Sequence, residues 1–110
     1  MKRAIFINSS DDPSLEDLGR FANDGFHTVM LGLDAGSQFL LDAASQFGID
    51  LQTSWLLGRT RDEIEAGIGA GCGTVLLDGE ELDPLTRAMS HLLARDFADA
   101  ANKIGLRIRP

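Results

Sequence analysis

Apolar residues in this chain come in short unbroken runs, which alternate with stretches where they recur every three or four positions. The first run, Ala4-Ile5-Phe6-Ile7, is closed by the polar cluster Asn8-Ser9-Ser10-Asp11-Asp12. Too short for a helix and rich in Ile and Phe, it reads as a buried strand. Asp12 before Pro13 predicts a helix start, with Leu15, Leu18, Phe21 and Ala22 on one face and Gly25 as the stop. Thr28-Val29-Met30-Leu31 is a second strand, ended by Gly32. From Ser37, residues Phe39, Leu40, Ala43, Ala44 and Phe47 trace an amphipathic helix that Gly48 closes. Ser54-Trp55-Leu56-Leu57 is the third strand, ending at Gly58. Thr60 with Glu63 is a capping box; it opens a helix with Ile64 and Ile68 on the inner face and Gly71 at the end. Thr74-Val75-Leu76-Leu77 is the fourth strand, stopped by Asp78-Gly79.

Strands made of continuous apolar residues, separated by helices, predict an α/β fold with a parallel sheet covered on both faces. No repeat, low-complexity segment or linker interrupts the chain, so residues 1–110 read as a single domain. The last quarter is ambiguous: after Asp83-Pro84, residues Leu85, Ala88, Met89, Leu92, Leu93, Phe97, Ala100, Ala101 and Ile104 fit one long helix by periodicity.

Charge narrows the function classes. Ten Lys and Arg against 17 Asp and Glu leave a net charge of −7, with a pI near 4.6. That argues against nucleic acid as a partner, since no basic stripe can displace counterions from a phosphate backbone, and against anionic membrane surfaces. No apolar run approaches the ~20 residues of a membrane span. The start Met1-Lys2-Arg3 leads into too few apolar residues for a signal peptide. With Cys72 as the single cysteine, a reducing, cytoplasmic setting is the expectation.

The stretch Ser54-Trp55-Leu56-Leu57-Gly58-Arg59-Thr60-Arg61-Asp62-Glu63-Ile64-Glu65-Ala66-Gly67, continuing through Gly71-Cys72-Gly73-Thr74-Val75-Leu76-Leu77, resembles the haloacid dehalogenase (HAD) superfamily. The likeness is to its small phosphatases acting on histidinol phosphate and heptose bisphosphate. Leu41-Asp42-Ala43-Ala44 with Phe47-Gly48-Ile49-Asp50 resembles the helix before that motif, and Ile5 to Ser10 sits where the family has its first strand and nucleophile loop. The resemblance implies a three-layer Rossmann-like core of about five parallel strands, here without a cap domain. It also implies a fifth strand at 91–94 and a helix over 97–104, against the periodicity.

The family's reaction uses a nucleophilic aspartate, a second aspartate as acid and base, a hydroxyl and a lysine for the phosphoryl group, and an acidic pair for Mg²⁺. Carried over residue by residue, the nucleophile position is Asn8, the acid-base position Ser10 and the hydroxyl position Gly32. No basic residue lies between Asp34 and Gln38, and the acidic pair has become Arg59 and Glu63. A guanidinium about 4 Å from a divalent cation is repelled by roughly 8 kcal/mol at an effective dielectric near 20. Arg59 therefore argues against the family's metal site more strongly than a neutral residue would.

The resemblance thus implies a catalytically inactive HAD-like domain with no cofactor, acting by binding a protein partner or by self-association. The alternatives are a residual Mg²⁺-dependent phosphatase working through Asp11 or Asp12, and a sensor of a phosphorylated small molecule built on Arg59 and the loop Asn8, Ser9 and Ser10. A receiver-type signalling domain is a further fold alternative, although Gly58-Arg59 stands where its strand-end aspartate belongs.

Each candidate has a plainer reading. Arg59 either binds an anion or pairs with Asp34, Asp11 or Asp62. Glu63 is either a remnant metal ligand or the far half of a capping box. Asp11, Asp12, Asp34, Asp62 and Glu63 form a cation-holding cup, or Asp12 caps a helix and the others are solvated. Asn8-Ser9-Ser10 cradles an anion or is a polar turn. His27 and His91 read as strand-edge residues, Cys72 as a turn thiol and Trp55 as core, while Phe39, Leu40 and Met89 are candidates for a dimer contact.

Overall fold

Residues 2–32, 36–77 and 84–108 are described in a computed structural model of the chain. The elements run β1 (Arg3–Asn8), α1 (Leu15–Asn23), β2 (Phe26–Leu31), α2 (Ser37–Phe47), a 3₁₀ turn (Leu51–Thr53), β3 (Trp55–Gly58), α3 (Arg61–Ala70), β4 (Gly73–Leu77), α4 (Pro84–Met89), β5 (Leu92–Ala94) and α5 (Phe97–Ile108). The five strands form one sheet in the order β2-β1-β3-β4-β5, and every neighbouring pair is parallel. The architecture is a three-layer Rossmann-like α/β fold.

Strand parity explains the layers, because alternate side chains face opposite sides of a sheet. Ala4 and Phe6 of β1, Leu56 and Leu76 point into one core with Leu40, Ala43 and Ala44 of α2 and Ile64, Ala66 and Ala70 of α3. Ile5, Ile7, Leu57, Val75 and Leu77 point into the other, against Phe21 of α1 and Phe97, Ala100, Ala101 and Ile104 of α5. The continuous apolar runs of β1, β3 and β4 are therefore strands buried on both faces, while the edge strand β2 is only partly covered.

Several helix expectations are corrected. α1 begins at Leu15 rather than at Pro13, because Ser14 accepts the Asp17 backbone N–H and serves as the cap in place of Asp12. Its inner face is narrower than the apolar spacing suggests: Phe21 is buried, Leu18 is half-buried, and Leu15 is 87% exposed. On α3, Ile64 is buried but Ile68 is exposed. The inner face there is made of Ala66, Gly67 and Ala70, small residues that let the helix lie close to the sheet. Leu40 is fully buried and so unavailable as a dimer contact, whereas Phe39 and Phe47 stand half exposed.

The last quarter is helix, strand and helix, with β5 at Leu92–Ala94 and α5 extending to Ile108, so the single long helix is not formed. Asp96 accepts the Asp99 backbone N–H and starts α5 afresh. The expected stop at Asp78-Gly79 and the role of Asp83 lie outside the described residues. Among the described residues, no helix is long and apolar enough to cross a membrane.

Candidate functional site

The sheet order reverses direction between β1 and β3, and in open parallel sheets the crevice beyond the carboxyl ends of such strands is where ligands bind. Asn8 ends β1 and Gly58-Arg59 ends β3, so the topology converges on the positions the sequence singles out. Asn8 has the same parity as Ala4 and Phe6 and thus faces α3. Gly58 allows the start of α3 to close over the strand ends: a Cβ there would lie 3.0 Å from the Glu63 Cβ and 3.3 Å from the Ile64 Cδ1.

The polar groups in this crevice bond to one another. Asn8 Oδ1 accepts the Ser10 backbone N–H at 3.0 Å and the Ser10 hydroxyl at 2.9 Å, which orients the amide so that Nδ2 donates to Glu63 Oε2 at 3.1 Å. Glu63 Oε1 accepts the Arg59 backbone N–H and the Thr60 hydroxyl, both at 3.3 Å. The Thr60 hydroxyl also caps α3 by accepting the Glu63 N–H at 3.2 Å. The capping box thus exists in a shifted form, with Glu63 reaching the N–H one residue before the cap. Both Glu63 oxygens are occupied, in a residue only 5% exposed.

Arg59 turns across the same opening. Its Nε donates to Asp11 Oδ1 at 3.2 Å, and its guanidinium lies 5.8 Å from the Phe97 ring centroid, within cation–π range. Of the two described carboxylates offered as partners, Asp11 is the one that pairs; Asp62 instead lines a separate depression with Gly36, Ser37 and Glu65. Asp34 lies outside the described residues. The second Asp11 oxygen, Oδ2, is buried without a hydrogen-bond partner among the described residues.

Ser9 and Ser10 are exposed turn residues, with Ser9 N–H donating to the Leu31 carbonyl at 2.7 Å and so tying the loop to the end of β2, next to Gly32. Asp12 is exposed and caps no helix. Of the expected acidic cup, Asp34 lies outside the described residues, and among the described residues no group of three or more His, Cys, Asp or Glu is placed to hold a metal ion. The residues of the crevice do not suit Mg²⁺, which asks for several free hard oxygens. Asn8 Oδ1 and both Glu63 oxygens are already used, and a cationic side chain spans the opening.

The remaining candidates lie elsewhere. Cys72 is buried, its Sγ donates to the Gly67 carbonyl at 3.3 Å, and burial pushes the thiol up to about 12, so it is no nucleophile at neutral pH. His27 is exposed on β2. His91 Nδ1 accepts the Thr74 backbone N–H at 3.1 Å, and Trp55 is half-buried with its ring edge-on to His91 at 6.4 Å.

Sequence reasoning gave Ser54 no role beyond strand and motif, yet it is a buried tie at the other end of the sheet: its hydroxyl accepts the Ala4 N–H at 2.9 Å and donates to the Asp50 carbonyl at 2.6 Å. It also missed the second shifted cap, in which Asp99 accepts the Arg95 N–H at 2.9 Å; the signal was Asp96-x-x-Asp99 before an apolar run. No protein-family model matches the chain, and no curated protein is similar to it.

Proposed function

We propose that this protein is a non-enzymatic, HAD-like domain that acts by binding or association rather than by turnover. The observation that carries the reading is the contact between Asn8 Nδ2 and Glu63 Oε2. An amide stands where phosphoryl transfer to an aspartate needs a carboxylate, and its N–H takes up an oxygen of the acid that would otherwise be open to a cation. Catalytic groups that act as a unit lose most of their effect when one is missing. Here the attacking carboxylate, the acid-base group and the hydroxyl are replaced together by Asn8, Ser10 and Gly32. Self-association is the mode favoured by Met30 on the edge strand β2 and by Phe39, Leu41 and Phe47 on α2, all exposed.

The test is turnover of a panel of phosphate monoesters with Mg²⁺. The expected result is a rate indistinguishable from buffer, unchanged in Glu63→Gln. Hydrolysis that disappears in Glu63→Gln or Asn8→Ala contradicts the reading.

One observation favours a residual metal-dependent hydrolase instead, namely the unpartnered Asp11 Oδ2. The same oxygen weighs against a phosphate sensor at Arg59, because it sets negative charge beside the guanidinium that would have to receive the anion. Asp11→Asn separates these readings: Mg²⁺-dependent turnover in the wild type that this substitution abolishes supports the hydrolase.

A further inference from the structure

A second groove, of about 560 Å³, opens at the opposite, amino ends of the strands. We propose that it binds a small anion carrying an aromatic ring, held between Trp55, His91 and the guanidiniums of Arg3 and Arg107. Its size is in the range of small-molecule sites, and it shares no residue with the strand-end crevice.

Charge segregation is the first observation. In a chain of net charge −7, the described residues lining the groove include two arginines and a histidine and no aspartate or glutamate. Arg3 is held in place, its guanidinium 4.7 Å from the Phe26 ring centroid and its Nη2 donating to the Asp24 carbonyl at 2.6 Å. One carbonyl leaves most of the donor fork available, and a planar fork matches a carboxylate or phosphate. His91 adds a further donor. Its Nδ1 accepts the Thr74 backbone N–H, and the Thr74 hydroxyl lies 2.9 Å away, so the ring proton resides on Nε2. The Thr53 and Ser54 hydroxyls both donate to the Asp50 carbonyl. Those hydroxyls have spent their protons and Ser54 also accepts the Ala4 N–H, so the donors facing a ligand are those of Arg3, Arg107 and His91.

The second observation is the aromatic wall. A Cβ at Gly73 would meet Trp55 Cε3 at 2.5 Å and its ring neighbours Cδ2 and Cζ3 at 2.8 Å, the pattern of an approach onto the ring face. The bare backbone of β4 thus backs the indole, and His91 braces it edge-on at an interplanar angle of 86°. An indole fixed in this way is a platform for a second ring. Platform and cations together select a ligand with both features.

Trp55 is the only tryptophan and the chain has no tyrosine, so its fluorescence reports on the groove directly. The full chain is titrated with benzoate and with adenosine monophosphate, and inorganic phosphate and adenosine serve as probes of charge without ring and ring without charge. The expected result is a saturable change with at least one aromatic anion; whether it is benzoate or the nucleotide tells carboxylate from phosphate recognition. Affinity is expected to fall about tenfold in Arg107→Ala and further in Arg107→Glu, exposed positions where the fold survives, as for loss of one charge-assisted contact. No saturable change with either aromatic anion, an equal response to phosphate or adenosine alone, or binding untouched by both Arg107 variants overturns the proposal.

Discussion

Asn8 is the residue on which the account turns, because its two polar ends face different partners and only an amide satisfies both. Replacing it with aspartate sets two carboxylates about hydrogen-bond distance apart, with Glu63 almost fully buried. Asn8→Asp is expected to lower stability by about 2 kcal/mol near neutral pH. Two carboxylates sharing a site raise the pKa of one of them, so the deficit is present at high pH and shrinks as the pH falls through that raised value. Denaturant titrations of both proteins across this range check it; a deficit independent of pH contradicts the mutual burial. A second expectation concerns Cys72, whose thiol burial holds at about 12. Thiol-specific reagents at pH 8 should leave it unmodified in the native state and modify it on unfolding. Asn8, Glu63 and Arg59 were all legible in the sequence as residues of one strand-end site. Their mutual bonding was not, because an Asn, a Glu and an Arg at those spacings fit an anion cradle or a remnant metal site equally well until the rotamers are known.

At the scale of elements, β1, β3 and β4 were legible because each is buried on both faces and so must be apolar throughout. Helix faces were less so. Apolar periodicity weights large residues, but α3 approaches the sheet through Ala66, Gly67 and Ala70 and leaves Ile68 outside. The starts of α1, α3 and α5 rest on side-chain caps, and α3 and α5 use the same device, an acid in the first turn reaching back to the N–H before the cap. The Arg95 backbone N–H, assisted by Lys103, holds the Asp99 carboxyl below the usual aspartate range. The sign follows from linkage: a lowered folded pKa contributes stability that is complete above pH about 4 and lost as the pH falls through the folded value. Asp99→Asn should therefore flatten the acid limb of the stability profile while leaving the limb above pH 6 parallel to wild type, as measured by urea denaturation at a series of pH values. The break between β5 and α5 escaped periodicity because Leu92, Leu93 and Phe97 continue a helical rhythm across it; the Asp96 cap was the contrary signal.

Across the whole molecule, the sheet delivers two grooves of opposite character. The crevice at the carboxyl ends is filled by its own bonded side chains, while the groove at the amino ends carries unneutralised donors. One edge of the sheet is β2, six residues without Lys, Glu or Pro, the residues that usually guard an edge against pairing. Sedimentation equilibrium is expected to find a dimer of this chain that Phe47→Ser shifts towards monomer, and a monomer at every accessible concentration contradicts edge association. The central claim, that a hydrogen-bonded Asn8–Glu63 pair under Arg59 occupies the place of a cation, is tested most directly by the thermal stability of the wild type as Mg²⁺ is raised into the millimolar range. The account predicts a transition temperature that does not move. A saturable rise that Glu63→Gln abolishes contradicts it.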